Sequence, residues 1–437
     1  MKKVLPLILF LLVGCVFGAF CAESADTLTK NTATTPKFSR LTLGGYGEIA
    51  YSRNFYSDNI NRYSHSDMYK NAPSHGRFDL PHVVFFVGYD FGRGWRLQTE
   101  IEFEHGGTEA AVELEAEEAG ELENEIERGG EVVLEQFWIE KTFSRALNLR
   151  LGHIIVPVGL TNNYHLPNEF FTVYRPEGEA TILPCTWHET GVSVWGKAGN
   201  WRYEVAFLPA LSSEMFSRTG WINGASASPY EFRIANSYAA AVRIDNYSVK
   251  GLRLGASGYY GHSFNNSIQP TNGEKYKNVE GEVMIGSVDF HYQNYGIIAR
   301  GYFDYGHLGD SKAISIYNKN LPKSSSSPRT NVASDVMLAG VEAGYDILNL
   351  LSFKNLTGLK EKLYIFGRYE FYDSMYKTAG NIQKDEWCSR QVICGGINYS
   401  PVNQIVIKAE YSYRKFQQPY NSEPSINIGI TYAGMFF

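Results

Sequence analysis

A chain of 437 residues with 30 Tyr, 26 Phe, 42 Gly and a formal charge of −6 has room for two or three soluble domains or one large barrel. Without Lys2 and Lys3 at its start, 38 basic residues face 46 acidic ones, a net of −8, which argues against a nucleic-acid partner. A mean hydropathy of −0.26 is too polar for a bundle of membrane helices but fits a barrel, where half of every strand faces water.

Residues 1–22 have the shape of a secretory signal peptide. Lys2 and Lys3 form the charged start, an apolar run follows from Val4 to Phe20, and Ala19 and Cys21 suit a cleavage site. A lipoprotein signal is the competing reading, because Leu12-Val13-Gly14-Cys15 resembles a lipobox. Residues 23–40 are a polar, Thr-rich leader. No later stretch reaches the roughly 18 apolar residues that a membrane helix needs, so a membrane-spanning form of residues 41–437 has to be a barrel. Cys185, Cys388 and Cys394 remain after the signal region. Cys388 and Cys394 fall in one expected strand about 20 Å apart, too far to bridge, and no cysteine spacing suggests zinc.

From Leu41 the sequence alternates. Strands are expected at 41–53, 77–90, 95–104, 131–143, 147–156, 190–198, 201–209, 237–245, 252–261, 282–292, 295–304, 335–346, 362–372, 386–399, 405–413 and 425–437. The third is the clearest. Trp95, Leu97, Thr99, Ile101 and Phe103 lie on one face, and Arg96, Gln98, Glu100, Glu102 and Glu104 on the other, the segregation a wall between hydrocarbon and water requires. Short and long connections take turns along the sixteen strands, which puts all short turns on one side. The connection 347–361 is longer than this rule. The expected fold class is all-β: a transmembrane antiparallel β-barrel of about sixteen strands. Charges facing its lumen are Arg96, Glu100, Glu102, Glu104, Arg202, Arg300, Arg368, Glu370, Lys408 and Glu410.

Between the strands at 147–156 and 190–198, Pro157, Pro167, Pro176 and Pro184 exclude a central ladder. Tyr164, Phe170, Phe171, Tyr174 and Trp187 argue against disorder. The segment reads as a third outer loop folded into the bore and narrowing it. Its polar residues, with those beside it, are the constriction candidates: Arg150, His165, Glu169, Arg175, Glu177, Glu179 and Lys197, since rings of charge set pore selectivity.

From Glu100 to Glu140 there are fifteen Glu and one Arg. Residues 106–130 are expected in the second outer loop, as a solvated surface or a cation-attracting vestibule, with a helix over Glu113–Glu127. Glu113, Glu115, Glu117 and Glu118 are weak candidates for a Ca²⁺ site, for they have no EF-hand spacing. No other metal and no cofactor is expected.

Leu151-Gly152-His153-Ile154-Ile155-Val156-Pro157-Val158-Gly159-Leu160 resembles a block of the phosphate-selective porins of the O and P type, and Glu189-Thr190-Gly191-Val192-Ser193-Val194 resembles their strand start after the third loop. The overall look is of a Bacteroidetes-type member. Thr161-Asn162 departs from the acidic residue usual in that block. The resemblance implies a sixteen-stranded trimeric channel with an inward third loop, a basic throat and a preference for phosphate or other anions. The Glu-rich run points the other way, and the sign of selectivity stays open. A closing strand with terminal Phe437 resembles the signal read by barrel-assembly machinery. The implied surroundings are outer-membrane lipid and lipopolysaccharide, with small hydrophilic solutes or ions inside. Two alternatives are a surface binding or adhesion protein anchored by its barrel, and a barrel-based hydrolase. The second would draw on His153, His188 and Ser193, although no nucleophile motif surrounds a serine.

Overall fold

The computed structural model describes residues 40–57, 59–116, 122–226, 233–267, 275–350 and 361–436, with backbone only at 60, 106–116, 122–131 and 350. The signal peptide, the leader to residue 39 and Phe437 lie outside the described residues. Sixteen strands form one closed antiparallel ring: β1 (Leu41–Asn54), β2 (two segments, Gly76–Asp79 and His82–Gly92), β3 (Trp95–Ala116), β4 (Leu122–Ser144), β5 (Leu147–Ile155), β6 (His188–Ala198), β7 (Trp201–Pro209), β8 (Tyr238–Asn246), β9 (Leu252–His262), β10 (Glu282–Asn294), β11 (Ile297–Leu308), β12 (Asp335–Asp346), β13 (Lys362–Lys377), β14 (Ser389–Val402), β15 (Ile405–Phe416) and β16 (Glu423–Met435). Each pairs with its sequence neighbour, and β16 returns to β1 from Gly44↔Met435 to Asn54↔Ser425. Closure leaves no sheet edge.

The period-two pattern sorts side chains as expected. Val288, Phe303, Val341, Ile365, Ile393, Ile407, Tyr411 and Ile428 are exposed on the outer wall. Asp289, Arg300, Glu342, Arg368, Glu370, Lys408, Glu410 and Asn427, of the opposite parity, are buried inside.

Three expectations need correction. The strand expected at 77–90 breaks at Leu80-Pro81, because proline has no N–H for the ladder. Both pieces still pair with β1, but the register slips by one residue between Ala50↔Asp79 and Gly47↔Val83, as at a β-bulge. The Glu-rich segment is neither a loop nor a helix over Glu113–Glu127. β3 and β4 run on through it as a hairpin, with Glu113 opposite Glu125 and Glu115 opposite Glu123. Glu density masked an alternation with Val112, Leu114 and Ile126 that has period two. Glu117 and Glu118 lie outside the described residues. Finally, Glu386–Cys388 is a 3-10 turn before β14, not the start of that strand. The long connection after β12 opens with a helical turn, Ile347–Leu350, and 351–360 lie outside the described residues.

The third loop does fold inward, and it has company. Connections after β7, β9 and β11 also enter the bore. Phe216, Trp221, Ile222, Phe264, Ile314, Tyr317 and Val332 form one buried apolar cluster with Val156, Val158, Leu160, Ile182 and Trp187 of the third loop. Asn223 donates to the carbonyls of Ala180 (2.7 Å) and Leu183 (3.1 Å), and Asn318 donates to that of Ser213 (2.9 Å). Their inward course has no sign in the sequence, because a loop that packs on another loop carries no periodic signature.

Gly152 of β5 has φ +135°, and a Cβ there would lie 2.2 Å from the Phe137 carbonyl oxygen. Gly152→Ala should therefore destabilise the barrel by about 3 kcal/mol or more, strain and clash together. Urea unfolding in detergent, followed by heat-modifiable electrophoretic mobility, measures it.

Candidate functional site

The third loop, 156–187, owes its shape to backbone groups that have left solvent and must find partners. Asn162 ties the two ends of the loop together. Its amide donates to the Val156 carbonyl (2.7 Å), and its Oδ1 accepts from the Trp187 N–H (2.5 Å). Glu179, in the helix Glu177–Ile182, accepts from the N–H groups of Leu160 (2.6 Å) and Thr161 (2.5 Å). Gly159, just before Leu160, has φ +79°, and a Cβ there would meet Glu179 Oε1 at 2.5 Å.

The wall holds the rest of the loop. Lys408 on β15 donates to three loop carbonyls, Pro167 (2.6 Å), Phe170 (3.0 Å) and Thr172 (2.7 Å), with its Nζ 4.3 Å from the Phe170 ring centroid. Glu410, two residues on, accepts from Val173 N–H (2.9 Å). Glu370 on β13 accepts from the N–H groups of Glu177 (3.1 Å) and Gly178 (3.2 Å). Arg414 makes a two-toothed pair with Glu177 (2.8 and 2.7 Å), and Arg243 on β8 donates to Gly159 O (3.1 Å). Inward parity on β15, Lys408-Glu410-Ser412-Arg414, thus presents a row of side chains to the loop.

The candidate residues divide accordingly. Arg175 and Glu177 line a cavity of about 240 Å³ between the loop and the walls of β1 and β13–β16. Glu169 and Glu179 do not. Glu169 turns back to Leu166 N–H (3.2 Å), and Glu179 caps the loop's own backbone. His165 donates from Nδ1 to the Asn162 carbonyl (3.0 Å) and turns Nε2 to Glu100, 3.9 Å away. Arg150 pairs with Glu140 (2.9 Å) and stacks over Trp138, and no hydrogen bond joins it to the loop. Lys197 lies opposite Arg202 beside the β6–β7 turn, nine residues from the loop end of its strand and about 30 Å away, so it is not a constriction residue.

Most of the charges expected to face the lumen are engaged in ion pairs. Arg96 pairs loosely with Asp90 (3.8 Å) at the short-turn mouth and stays exposed. Arg202 reaches Glu204 and Asp245. Arg300 and Arg368 share Glu342 (2.6 and 2.7 Å), and Arg368 also holds Glu370 (2.7 Å). Arg243 and Arg253 share Asp245 and Asp289. Glu102 and Glu104 both face His82, at 2.6 and 3.9 Å. A bare basic ladder is not present among the described residues. The cavity lining balances Arg77, Arg175, Arg368 and Arg414 against Glu177, Glu370, Glu410 and Glu423. Sequence reading missed Arg414 and Glu423 by ending β15 at Tyr413 and starting β16 at Ser425; one further step of the alternation on each strand finds both.

No protein-family model matches the chain. An uncharacterized protein of Aquifex aeolicus (strain VF5) is 26% identical over 380 residues, 85% of this chain and 75% of its own. Two solved structures share the architecture. The anion-selective porin from Comamonas acidovorans superposes with a TM-score of 0.50 at 9% identity, covering 90% of this chain and 99% of its own. OmpF of Salmonella typhi, in complex with daunomycin, gives 0.50 at 9% identity, covering 90% and 97%. The fold is a porin fold.

Within this porin fold the hydrolase candidates do not converge. Ser193 is fully buried on the inner face and donates to Glu204 (3.0 Å). His188 has the parity of exposed Val194 on the same strand and meets His153 at 2.5 Å on the outer face. A sheet separates the serine from both rings.

Two outcomes follow. Lys408→Met should leave three buried carbonyls without a donor and cost about 3 kcal/mol, read as faster hydrogen exchange across 160–180 with the strand amides still protected. Burial pushes the Glu177 carboxyl up, but Arg414 and then Tyr372 outweigh burial and hold it below the ordinary carboxylate range. A lowered folded-state value stabilises the pinned loop above that range and stops doing so as pH falls through the folded value. Exchange at 172–180, corrected for intrinsic rates, should therefore stay flat from pH 7 to about 5 and rise at lower pH. Glu177→Gln should remove that rise.

Proposed function

We propose that this chain is an outer-membrane porin: a water-filled channel for passive diffusion of small hydrophilic solutes or ions. One observation carries the reading. A closed ring with an apolar outer wall and a charged inner wall has a loop stitched across its bore, leaving an eccentric cavity lined by side chains of both signs. The outer wall suits hydrocarbon, in which a closed barrel satisfies every backbone group. On this reading the signal peptide 1–22 is removed after export, Phe437 is read during barrel assembly, lipid and lipopolysaccharide surround the wall, and three copies associate.

Membership of the phosphate-selective O and P type is supported by the block around Gly152–Leu160 and by the inward third loop. The lining, four Arg against four Glu, supports weak selectivity rather than a committed phosphate path. No covalent chemistry is required. The loop sets the width, and the paired charges set the field. The hairpin of β3 and β4 extends the wall by about twelve residues beyond the β2–β3 ladder, on the order of 40 Å, and its Glu residues favour cations near the mouth.

Planar-bilayer recording under a salt gradient tests the proposal. Discrete conductance steps with a small reversal potential are expected. Arg77→Glu, an exposed lining position whose guanidinium sits 5.8 Å from the Tyr174 ring centroid, should move the reversal potential toward cations without closing the channel. Folded protein that gives no conductance would leave the barrel as an anchor for its hairpin.

A further inference from the structure

Beside the cavity, and not lining it, the third loop meets the wall of β3 and β4 at a group of carboxylates. Glu100, Glu102 and Glu135 are buried there at 1%, 3% and 0% exposure. Among the described residues, Arg175 is the permanent cation near them, with NH2 3.9 Å from Glu102. Three buried carboxylates with one guanidinium leave negative charge that needs protons or another cation.

The arrangement of Glu100, Glu135 and His165 selects between those. One ligand atom from each lies within 4.8 Å of the other two. Glu100 Oε1 is buried and has no hydrogen-bond partner, and it faces His165 Nε2 at 3.9 Å. That gap is too long for a hydrogen bond but suits two atoms bound to one metal ion. His165 Nδ1 lies 3.0 Å from the Asn162 carbonyl. A carbonyl accepts only, so Nδ1 carries the proton, and the Nε2 lone pair of a neutral ring points at the carboxylates. This is the outer-shell contact that orients a metal-binding histidine. The carboxylates are oriented in the same way: Gln136 donates to the other oxygen of Glu100, and Thr186 donates to Glu135.

We propose that Glu100, Glu135 and His165 bind one divalent transition-metal ion, fastening the third loop to the wall of β3 and β4. One imidazole and two carboxylates are a donor set for Zn²⁺ or a similar borderline cation, with water completing the shell. Ca²⁺ is disfavoured, because it takes six to eight oxygens. The site does not depend on whether the bore conducts.

Zn²⁺ is the probe. The full mature chain, folded in detergent and stripped with a chelator, is dialysed against buffered Zn²⁺ and its metal counted by mass spectrometry. One ion per chain is expected, with affinity reduced at least about tenfold in His165→Gln and in Glu135→Gln. Heat-modifiable mobility confirms that each variant is folded. X-ray absorption of the wild-type zinc form, which needs no variant, should show one histidine and oxygen neighbours at roughly 2.0–2.2 Å. The proposal is overturned by substoichiometric binding, by stoichiometric binding that survives both substitutions but is lost in Glu113→Gln/Glu115→Gln, or by a spectrum without histidine scattering. The first result would mean that protons, not a metal, neutralise the cluster.

Discussion

Pairing β16 back onto β1 is the constraint from which the rest of this structure follows. It removes the sheet edge, and it commits alternate residues of sixteen strands to an enclosed interior. Hydrophobic side chains are left on the outside, where Val288 of β10 and Ile407 of β15 are exposed. Charged ones are left inside, where isolated charge is costly. The interior answers with shared pairs. Arg243 and Arg253 divide Asp245 and Asp289, and Arg300 and Arg368 divide Glu342. These strands could not carry so many buried arginines and carboxylates singly.

The charged wall in turn permits backbone to enter the bore. A loop without regular structure brings carbonyls and N–H groups that no ladder satisfies. Here Lys408 serves three carbonyls, while Glu370, Glu410 and Glu179 serve N–H groups. The other half of the interior is filled differently. The connections after β7, β9 and β11 pack an apolar core against the third loop around Trp221 and Phe264. The cavity beside the third loop lies on the side of β1 and β13–β16.

The barrel was legible because period two is local: Trp95 to Glu104 declares both faces within ten residues. The inward third loop was legible from its prolines and aromatics. What escaped was set by distant partners. Nothing near Glu179 says that it will cap Leu160, and nothing near Lys197 says that the loop will stay at the other end of its strand. The Glu-rich hairpin escaped because charge density was weighed above the alternation of Val112 and Leu114. Pro81 was visible in the sequence, but the one-residue register slip it brings depends on β1.

A cross-link tests the central claim, that the third loop lies across the bore on the far wall. A Cβ on Gly429 of β16 would lie 2.9 Å from Val173 Cγ1. In a chain carrying Cys185→Ser, Cys388→Ser and Cys394→Ser, the pair Val173→Cys and Gly429→Cys should form a disulfide under mild oxidation and shift electrophoretic mobility. Folded barrels in which both thiols stay freely alkylated and uncrosslinked would contradict the account.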